Sequence, residues 1–332
     1  MPRKSRIDAP GAVHHIICRG IDRQAIFADD HDRDNFIERL GKILTTTQTL
    51  CLAWALLPNH FHLLLKTGGE PVATVMRRLL TGYAVSHNRR HNRSGHLFQN
   101  RYKSILCQED TYLLELVRYI HLNPLRAGIV TSLAQLDEYP YCGHSRLMGR
   151  LRDHWQATDE VLCLFDKRLG TCRRRYREFV EKAIGEGTRP ELTGGGMVRS
   201  VGGWKKIKSL RQSGWHLKSD ERILGDSNFV KAVLEHQQEK LDRRYRLQAA
   251  GYDLDKLIGQ VCERFDLAPE DILEPGKQSK QVQAKSLVCY LAVRKLGLKG
   301  TEVGQRLRLT QSAVSRAVQR GKRIATELDF SL

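Results

Sequence analysis

Two apolar runs, Leu50–Leu57 and Phe61–Lys66, flank Pro58-Asn59 and are followed by Gly68-Gly69. Runs of this length bounded by turn residues read as strands, either as a pair or as one bent ribbon. They commit this part of the chain to a sheet, and the segments around them supply the rest of an α+β layer. Ala12–Cys18 is rich in Val and Ile, ends at Arg19-Gly20, and reads as a strand. Asp30–Leu44 has helical apolar spacing with acids in its first turn, and Val72–Arg90 is helical by pattern. His96–Leu106 is a short strand candidate. Thr111–Leu122 is an amphipathic helix whose end is marked by Asn123-Pro124.

Beyond residue 150 the pattern is helical. Asp159–Ile184 and Asn228–Leu247 read as helices, and Gly194–Gly203 is a glycine-rich loop without the G-K-[ST] ending of a phosphate-binding loop. From Asp255 onward helices are broken at Pro269, Pro275-Gly276, Gly297–Gly300 and Arg308-Leu309. The expected division is 1–150, a mostly helical middle at 151–250, and a small helical domain at 251–332. A chain of 332 residues accommodates two or three domains, and 41% hydrophobic residues suffice for packed cores. The longest apolar run is too short to span a bilayer, and no apolar signal core follows the basic Met1–Pro10. Eight scattered cysteines form no C-x-x-C pair and read as free thiols. The expected location is the cytoplasm, at the bacterial nucleoid, with no membrane partner.

The net charge of +18 calls for a polyanionic partner. Residues 1–150 hold 20 basic and 13 acidic side chains, and residues 276–332 hold 12 and 3. The stretch between them is nearly neutral. Two basic modules around a neutral middle fit a protein that grips nucleic acid at two places.

Chemistry concentrates at Pro58-Asn59-His60-Phe61-His62. On a strand, His60 and His62 share one face and offer a two-imidazole metal platform, with Phe61 packed behind. Tyr119 and Asn123 lie four apart on the Thr111–Leu122 pattern and project from one helix face. A phenol beside an oxygen ligand is what metal-assisted phosphoryl transfer needs. Tyr112 and Tyr102 are rival nucleophiles; Tyr112 has Leu116 instead of an amide at i+4, and Tyr102 sits in a strand candidate. His14 and His15 lie in the first strand and read as strand-face histidines ahead of the alternative that they face DNA or the site, and His121 receives no role.

The strings Pro58–Leu65, Gly95–Ser104, Tyr112-Leu113-Leu114 and Arg118–Gly128 together resemble the REP-associated tyrosine transposases, single-tyrosine members of the HUH nucleases. The resemblance covers roughly residues 5–145. It implies a ferredoxin-like HUH nuclease domain with a central antiparallel sheet. It implies that His60, His62 and Asn123 hold a divalent ion, Mg²⁺ or Mn²⁺, and that Tyr119 attacks a DNA phosphate. The implied product is a 5′-phosphotyrosine link and a free 3′-OH, with single-stranded hairpin DNA as substrate. Related transposases are often dimers while the REP-associated branch acts as monomers, so a homodimer stays an open state. Arg77, Arg78, Arg89, Arg90, Arg101 and Lys103 are expected to contact the DNA backbone.

Thr301–Val318 reads as helix-turn-helix, with Val303, Leu307, Leu309, Val314 and Val318 as its small core and Gly304 allowing close helix approach. Thr310 is the expected N-cap of the second helix. Gln311, Ser312, Ser315, Arg316 and Gln319 then face outward toward base edges, and Lys322 and Arg323 toward phosphates. Arg308 stands where glycine is frequent in the turn. Asp255–Ile324 resembles the duplex-binding domain of the bacterial replication initiator, which implies duplex DNA as a second partner. Gln311-Ser312-Ala313-Val314 replaces the initiator's signature, so the initiator's own DNA site is not implied. The competing reading, a regulator with an inert nuclease domain, is opposed by the intact set His60, His62, Tyr119 and Asn123. An RNA-binding reading lacks the expected aromatic motif.

Overall fold

In the computed structural model, residues 7–9, 11–187, 189, 192, 220, 222–249, 251–274 and 278–330 are described. The glycine-rich loop Gly194–Gly203, and the Pro275-Gly276 break, lie outside the described residues. The chain divides into two compact units, Met1–Ala232 and Val233–Leu332. Among the described residues, no helix is long and apolar enough to cross a membrane.

The first unit is built on β1 (Val13–Arg19), α1 (Asp30–Thr47), β2 (Leu50–Leu57), β3 (His60–Lys66), α2 (Val72–Arg90), β4 (Lys103–Cys107) and α3 (Glu109–His121). Short helices α4 (Asn123–Arg126), α5 (Leu133–Glu138), α6 (His144–Leu147) and α7 (Thr158–Leu162) follow, then α8 (Leu169–Glu181). The sheet runs β2-β3-β1-β4-β5, where β5 is Ile223–Leu224. The first four strands pair antiparallel, and β5 adds in parallel to β4. The mixed α+β architecture with a central antiparallel sheet is therefore present, and the two apolar runs are a strand pair rather than one ribbon.

Alternation within the strands assigns each face. Ile16, Cys18, Phe61, Leu63 and Leu65 enter a core with Phe36 and Leu40 of α1 and Val75 and Leu79 of α2. The opposite face packs under α3 through Leu116, Val117 and Ile120, joined by Val161, Leu162, Cys172, Tyr176 and Val180. The latter group ties residues 158–181 into the first unit. The Tyr176 hydroxyl lies 2.7 Å from His121 Nδ1 and 2.8 Å from His144 Nδ1, and His144 Nε2 lies 2.8 Å from Asp137.

Three expected boundaries shift. The strand candidate His96–Leu106 is a strand only from Lys103; before it the chain follows the end of β1 through an isolated Gly20–Phe98 bridge. The expected single helix Asp159–Ile184 is two, α7 and α8. Asp166 Oδ1 accepts the Lys167 and Arg168 backbone N–H groups and turns the chain between them. Asn123-Pro124 ends α3 without ending helical structure, because Leu122 keeps a near-helical φ of −81° and Pro124 enters α4 in its first turn.

α9 (Ser227–Ala249) begins in the first unit and continues into the second. The second unit adds α10 (Leu254–Phe265), α11 (Pro269–Leu273), α12 (Ser279–Tyr290), a π turn at Leu291–Leu296, α13 (Gly300–Arg306) and α14 (Gln311–Glu327). Leu257, Val261, Leu287, Leu291, Val303, Leu307 and Val314 form its core. The Thr310 hydroxyl accepts the Ala313 N–H, capping α14 as expected. Arg308 takes the left-handed conformation at φ +53°, the backbone state glycine would adopt without strain. A Cβ on Gly304 would lie 2.7 Å from the Leu309 carbonyl oxygen, so only glycine lets α13 and the turn close.

Gly321 gives a test of this packing. Helix propensity alone favours alanine there by about 1 kcal/mol. A Cβ, however, would sit 1.9 Å from the Ser286 carbonyl oxygen on α12. Gly321→Ala is expected to destabilise the chain by about 1–3 kcal/mol through overpacking. Urea unfolding of the two proteins, followed by circular dichroism, reads the sign; a stabilised variant would contradict this α12–α14 contact.

Candidate active site

The β1–β3 register opposes Ile17 to His62 and Arg19 to His60. The β1–β4 register opposes Ile17 to Lys103. Opposed residues share a sheet face, so His60, His62, Ile17, Arg19 and Lys103 are brought together under α3. Phe61 points the other way and is fully buried between the sheet, Phe36 and Phe98. The residues of that face, with Cys18, Gln99, Asn100, Arg101, Tyr119, Asn123 and Arg189, line a cavity of about 530 Å³. It is the place where the sequence-predicted histidines, tyrosine and amide converge.

The two histidine rings lie 5.2 Å apart, centre to centre. The Tyr119 ring stands edge-on to His62 at 6.0 Å and to His15 at 6.1 Å. Tyr102 is buried in the core on the other face, and Tyr112 does not line the cavity. Among the described tyrosines, Tyr119 alone lines it. The Arg126 guanidinium lies 5.3 Å from the centre of the Tyr119 ring, and its Nη1 donates to the Tyr119 carbonyl at 3.4 Å.

The donor set fits a divalent ion. His60 Nδ1 lies 2.7 Å from Asn59 Oδ1, while Asn59 Nδ2 donates to the Arg23 carbonyl, which fixes the amide's orientation. Asn59 Oδ1 can only accept, so His60 carries its proton on Nδ1 and keeps a lone pair on Nε2. His62 Nδ1 is likewise engaged, 2.9 Å from His15 Nε2. Asn123 is buried at the cavity, and its amide nitrogen has no partner among the described residues. Two imidazoles and one amide make an incomplete shell, with remaining positions left for water and phosphate oxygens.

The lining is electrostatically one-sided. Arg19, Arg101 and Lys103 contribute positive charge, Arg189 is ion-paired to Glu186 at 3.0 Å and Glu115 at 3.4 Å, and among the described residues no carboxylate lines the cavity. Such a surface suits a phosphate backbone. Arg101 and Lys103, expected to contact the DNA backbone, line this cavity. Arg77 and Arg78 line a separate groove with Arg39 and Lys42. Arg89 is exposed on α2 and lines neither. Arg90 departs from the expectation of a free backbone contact, since it is ion-paired to Asp29 and Asp32 at 2.6 and 2.7 Å. In the second unit Gln311, Ser312, Ser315, Arg316, Gln319, Lys322 and Arg323 are all exposed on α14.

Asp32, His87 and His91 form another group, with ligand atoms within 4.8 Å of one another. Arg90 Nη1 lies 2.7 Å from Asp32 and 3.2 Å from His91 Nε2, so a guanidinium already supplies the counter-charge there.

Sequence reasoning gave no role to Arg19, Gln99, Asn100, Arg126 and Arg189, and it ranked a plain strand-face reading of His15 above one facing DNA or the site. Gln99, Asn100 and Arg126 fall inside the motif strings but carried no role of their own. Arg19 and His15 share alternation with Ile17, a signal that becomes useful only once the β1–β3 register is known.

Burial lowers the proton affinity of the histidine group. His15 is pushed down to about 4, chiefly by desolvation. His60 is pushed down to about 4 by burial and then by Arg19. His62 is held well below its ordinary value by burial and by its neighbours His15 and His60. The unfolded chain binds protons on these residues near pH 6.5, whereas the folded chain refuses them down to about 4. Stability is therefore full above pH 6.5 and falls as pH drops through 6.5 toward 4, with His15 alone worth on the order of 3 kcal/mol. Urea unfolding of metal-free protein at pH 7, 6, 5 and 4 should show that decline; a flat profile would contradict the burial of these rings.

Residues 10–123 match the family model described as Transposase IS200 like. Among solved structures, the chain is similar to a REP-associated tyrosine transposase determined bound to a REP hairpin. That match is 17% identical with a TM-score of 0.38, covering 47% of this chain and 92% of the other. It is also similar to a presumed transposase from Deinococcus radiodurans R1, 19% identical with a TM-score of 0.26, covering 34% of this chain and 89% of the other. No curated protein matches. The segment that matches this family model carries His60, His62, Tyr119 and Asn123.

Proposed function

We propose that the chain is a single-tyrosine DNA transposase of the HUH type, which cuts and rejoins single-stranded hairpin DNA. The observation that carries this reading is the convergence of His60, His62, Tyr119 and Asn123 on one cationic cavity. The transposase family of residues 10–123 supports the class of reaction. The hairpin form of the substrate follows from the resemblance of the motif strings to REP-associated enzymes.

In this mechanism the Tyr119 oxygen attacks the scissile phosphorus. The Tyr119 O–P bond forms, the bond from phosphorus to the 3′ oxygen breaks, and the phenol proton is lost as the 3′ oxygen gains one. The DNA is left as a 5′-phosphotyrosine and a free 3′-OH. Attack by another 3′-OH reverses the step and rejoins the strand, so the energy of the phosphodiester is retained and no nucleotide is consumed. Arg126 stabilises the phenolate that forms on deprotonation. Arg19, Arg101 and Lys103 hold the backbone phosphates in the cavity. His60, His62 and Asn123 would hold Mg²⁺ or Mn²⁺, which when bound polarises a phosphate oxygen and offsets charge on the leaving oxygen.

The second unit is read as a duplex-DNA tether. Its α13–α14 pair has a capped second helix, a tight turn at Arg308 and an exposed polar face. Tethering to duplex raises the local concentration of a nearby hairpin.

Labelled single-stranded hairpins from the DNA flanking the gene, incubated with Mn²⁺, Mg²⁺ or EDTA, should give a metal-dependent protein–DNA band on a denaturing gel. Tyr119→Phe should abolish that band while retaining hairpin binding. A normal band from Tyr119→Phe would overturn the nucleophile assignment.

The combined variant Arg316→Ala, Lys322→Ala, Arg323→Ala should weaken duplex binding. Its log–log salt slope should become shallower by about one unit for each phosphate that is no longer neutralised. An unchanged salt slope in a folded variant would remove α14 from the duplex interface.

A further inference from the structure

His15 is fully buried on the site face of β1, yet both its ring nitrogens are engaged. Nδ1 lies 3.0 Å from the Leu192 carbonyl oxygen, and Nε2 lies 2.9 Å from His62 Nδ1. A carbonyl oxygen only accepts, so Nδ1 of His15 must bear a proton. In the neutral imidazole that is its single proton. His15 Nε2 is then an acceptor, and the proton it receives belongs to His62 Nδ1. His62 Nε2 is left with its lone pair, which is the state a metal ligand requires. A solvated histidine side chain prefers the opposite tautomer, with the proton on Nε2, which could not ligate through that atom. His60 reaches the same state by a local route through Asn59. His62 reaches it through a partner on another strand and a carbonyl 177 residues from His15 along the chain.

We infer that His15 is a positioning residue that fixes His62 in its metal-ligating tautomer, and that Leu192 belongs to the catalytic site by orienting His15. Leu192 is buried in the core under α3, and Arg189 just before it lines the cavity. Both lie beyond the segment 10–123 that matches the transposase family. The inference rests on the metal-site reading of His60, His62 and Asn123, and it assigns part of the chain after residue 187 to the same centre.

The test uses the full chain labelled with ¹⁵N-histidine. Long-range ¹H–¹⁵N spectra of metal-free protein at pH 7.5 report which nitrogen of each ring is protonated. His62 in the unsubstituted protein should be protonated on Nδ1; protonation on Nε2 overturns the inference without any variant. Mn²⁺ affinity, read from the free-ion electron paramagnetic resonance signal, should fall about 10–100-fold in His15→Phe. His15→Gln, whose Oε1 can accept from His62 Nδ1, should recover most of that affinity. Equal affinity in His15→Phe and the unsubstituted protein overturns the inference, as does failure of His15→Gln to bind better than His15→Phe when both melt cooperatively. None of these readouts contains DNA. A correct tautomer and metal response without a covalent DNA band would sustain His15's role while removing the nuclease reading.

Discussion

The pairing register of β1 with β3 is the constraint on which the site depends. Ile17 opposes His62 and Arg19 opposes His60. A slip of one residue would turn the other set of β1 side chains toward the site. Cys18 and Ile16 would then face the cavity, and His15 and Arg19 would be driven into the core against α1 and α2. The register is pinned by apolar burial on both faces of the sheet: Phe61, Leu63 and Leu65 fill one core while Leu64 and Ile105 fill the other. Packing that looks unrelated to chemistry thereby holds the imidazoles in place.

α3 contributes the remaining constraint. Its apolar stripe, Leu113, Leu116, Val117 and Ile120, is pressed onto the sheet, which brings Tyr119 to the edge of that stripe and over the histidines. The helix is interrupted at Leu122, but the near-helical backbone there preserves the one-turn spacing to Asn123. Arg126, one further turn along, returns to the Tyr119 ring. Tyr119, Asn123 and Arg126 thus share one continuous helical path although two helices carry them.

Features encoded by local periodicity were legible in the sequence. Alternation placed His60 and His62 on one face with Phe61 behind, and helical spacing joined Tyr119 to Asn123. The capped second helix at Thr310 and the glycine approach at Gly304 were legible for the same reason. Non-local features were not. His15 is an ordinary strand histidine until the register shows His62 beside it. The reach of the strand at His96–Leu106 was overread because Phe98 and Tyr102 fall on alternate positions, whereas the chain before Lys103 gains only one bridge to Gly20 among the described residues. Arg90 looked like a free cation because its partners Asp29 and Asp32 sit at the start of another helix. Arg189 carried no sequence signal, since its place at the cavity is set by how the later chain folds back.

The hydrogen bond from His15 to Leu192 also orders events in time. The histidine strand, α3 and Asn123 leave the ribosome well before Leu192 does. At about 5–20 residues per second, the 69 residues from Asn123 to Leu192 occupy several seconds of synthesis. During that interval a nascent chain holds Tyr119 and both motif histidines but lacks the carbonyl bonded to His15. A site built in this order stays unfinished until the chain has committed to its larger fold, so truncated translation products carry the motif without the completed site.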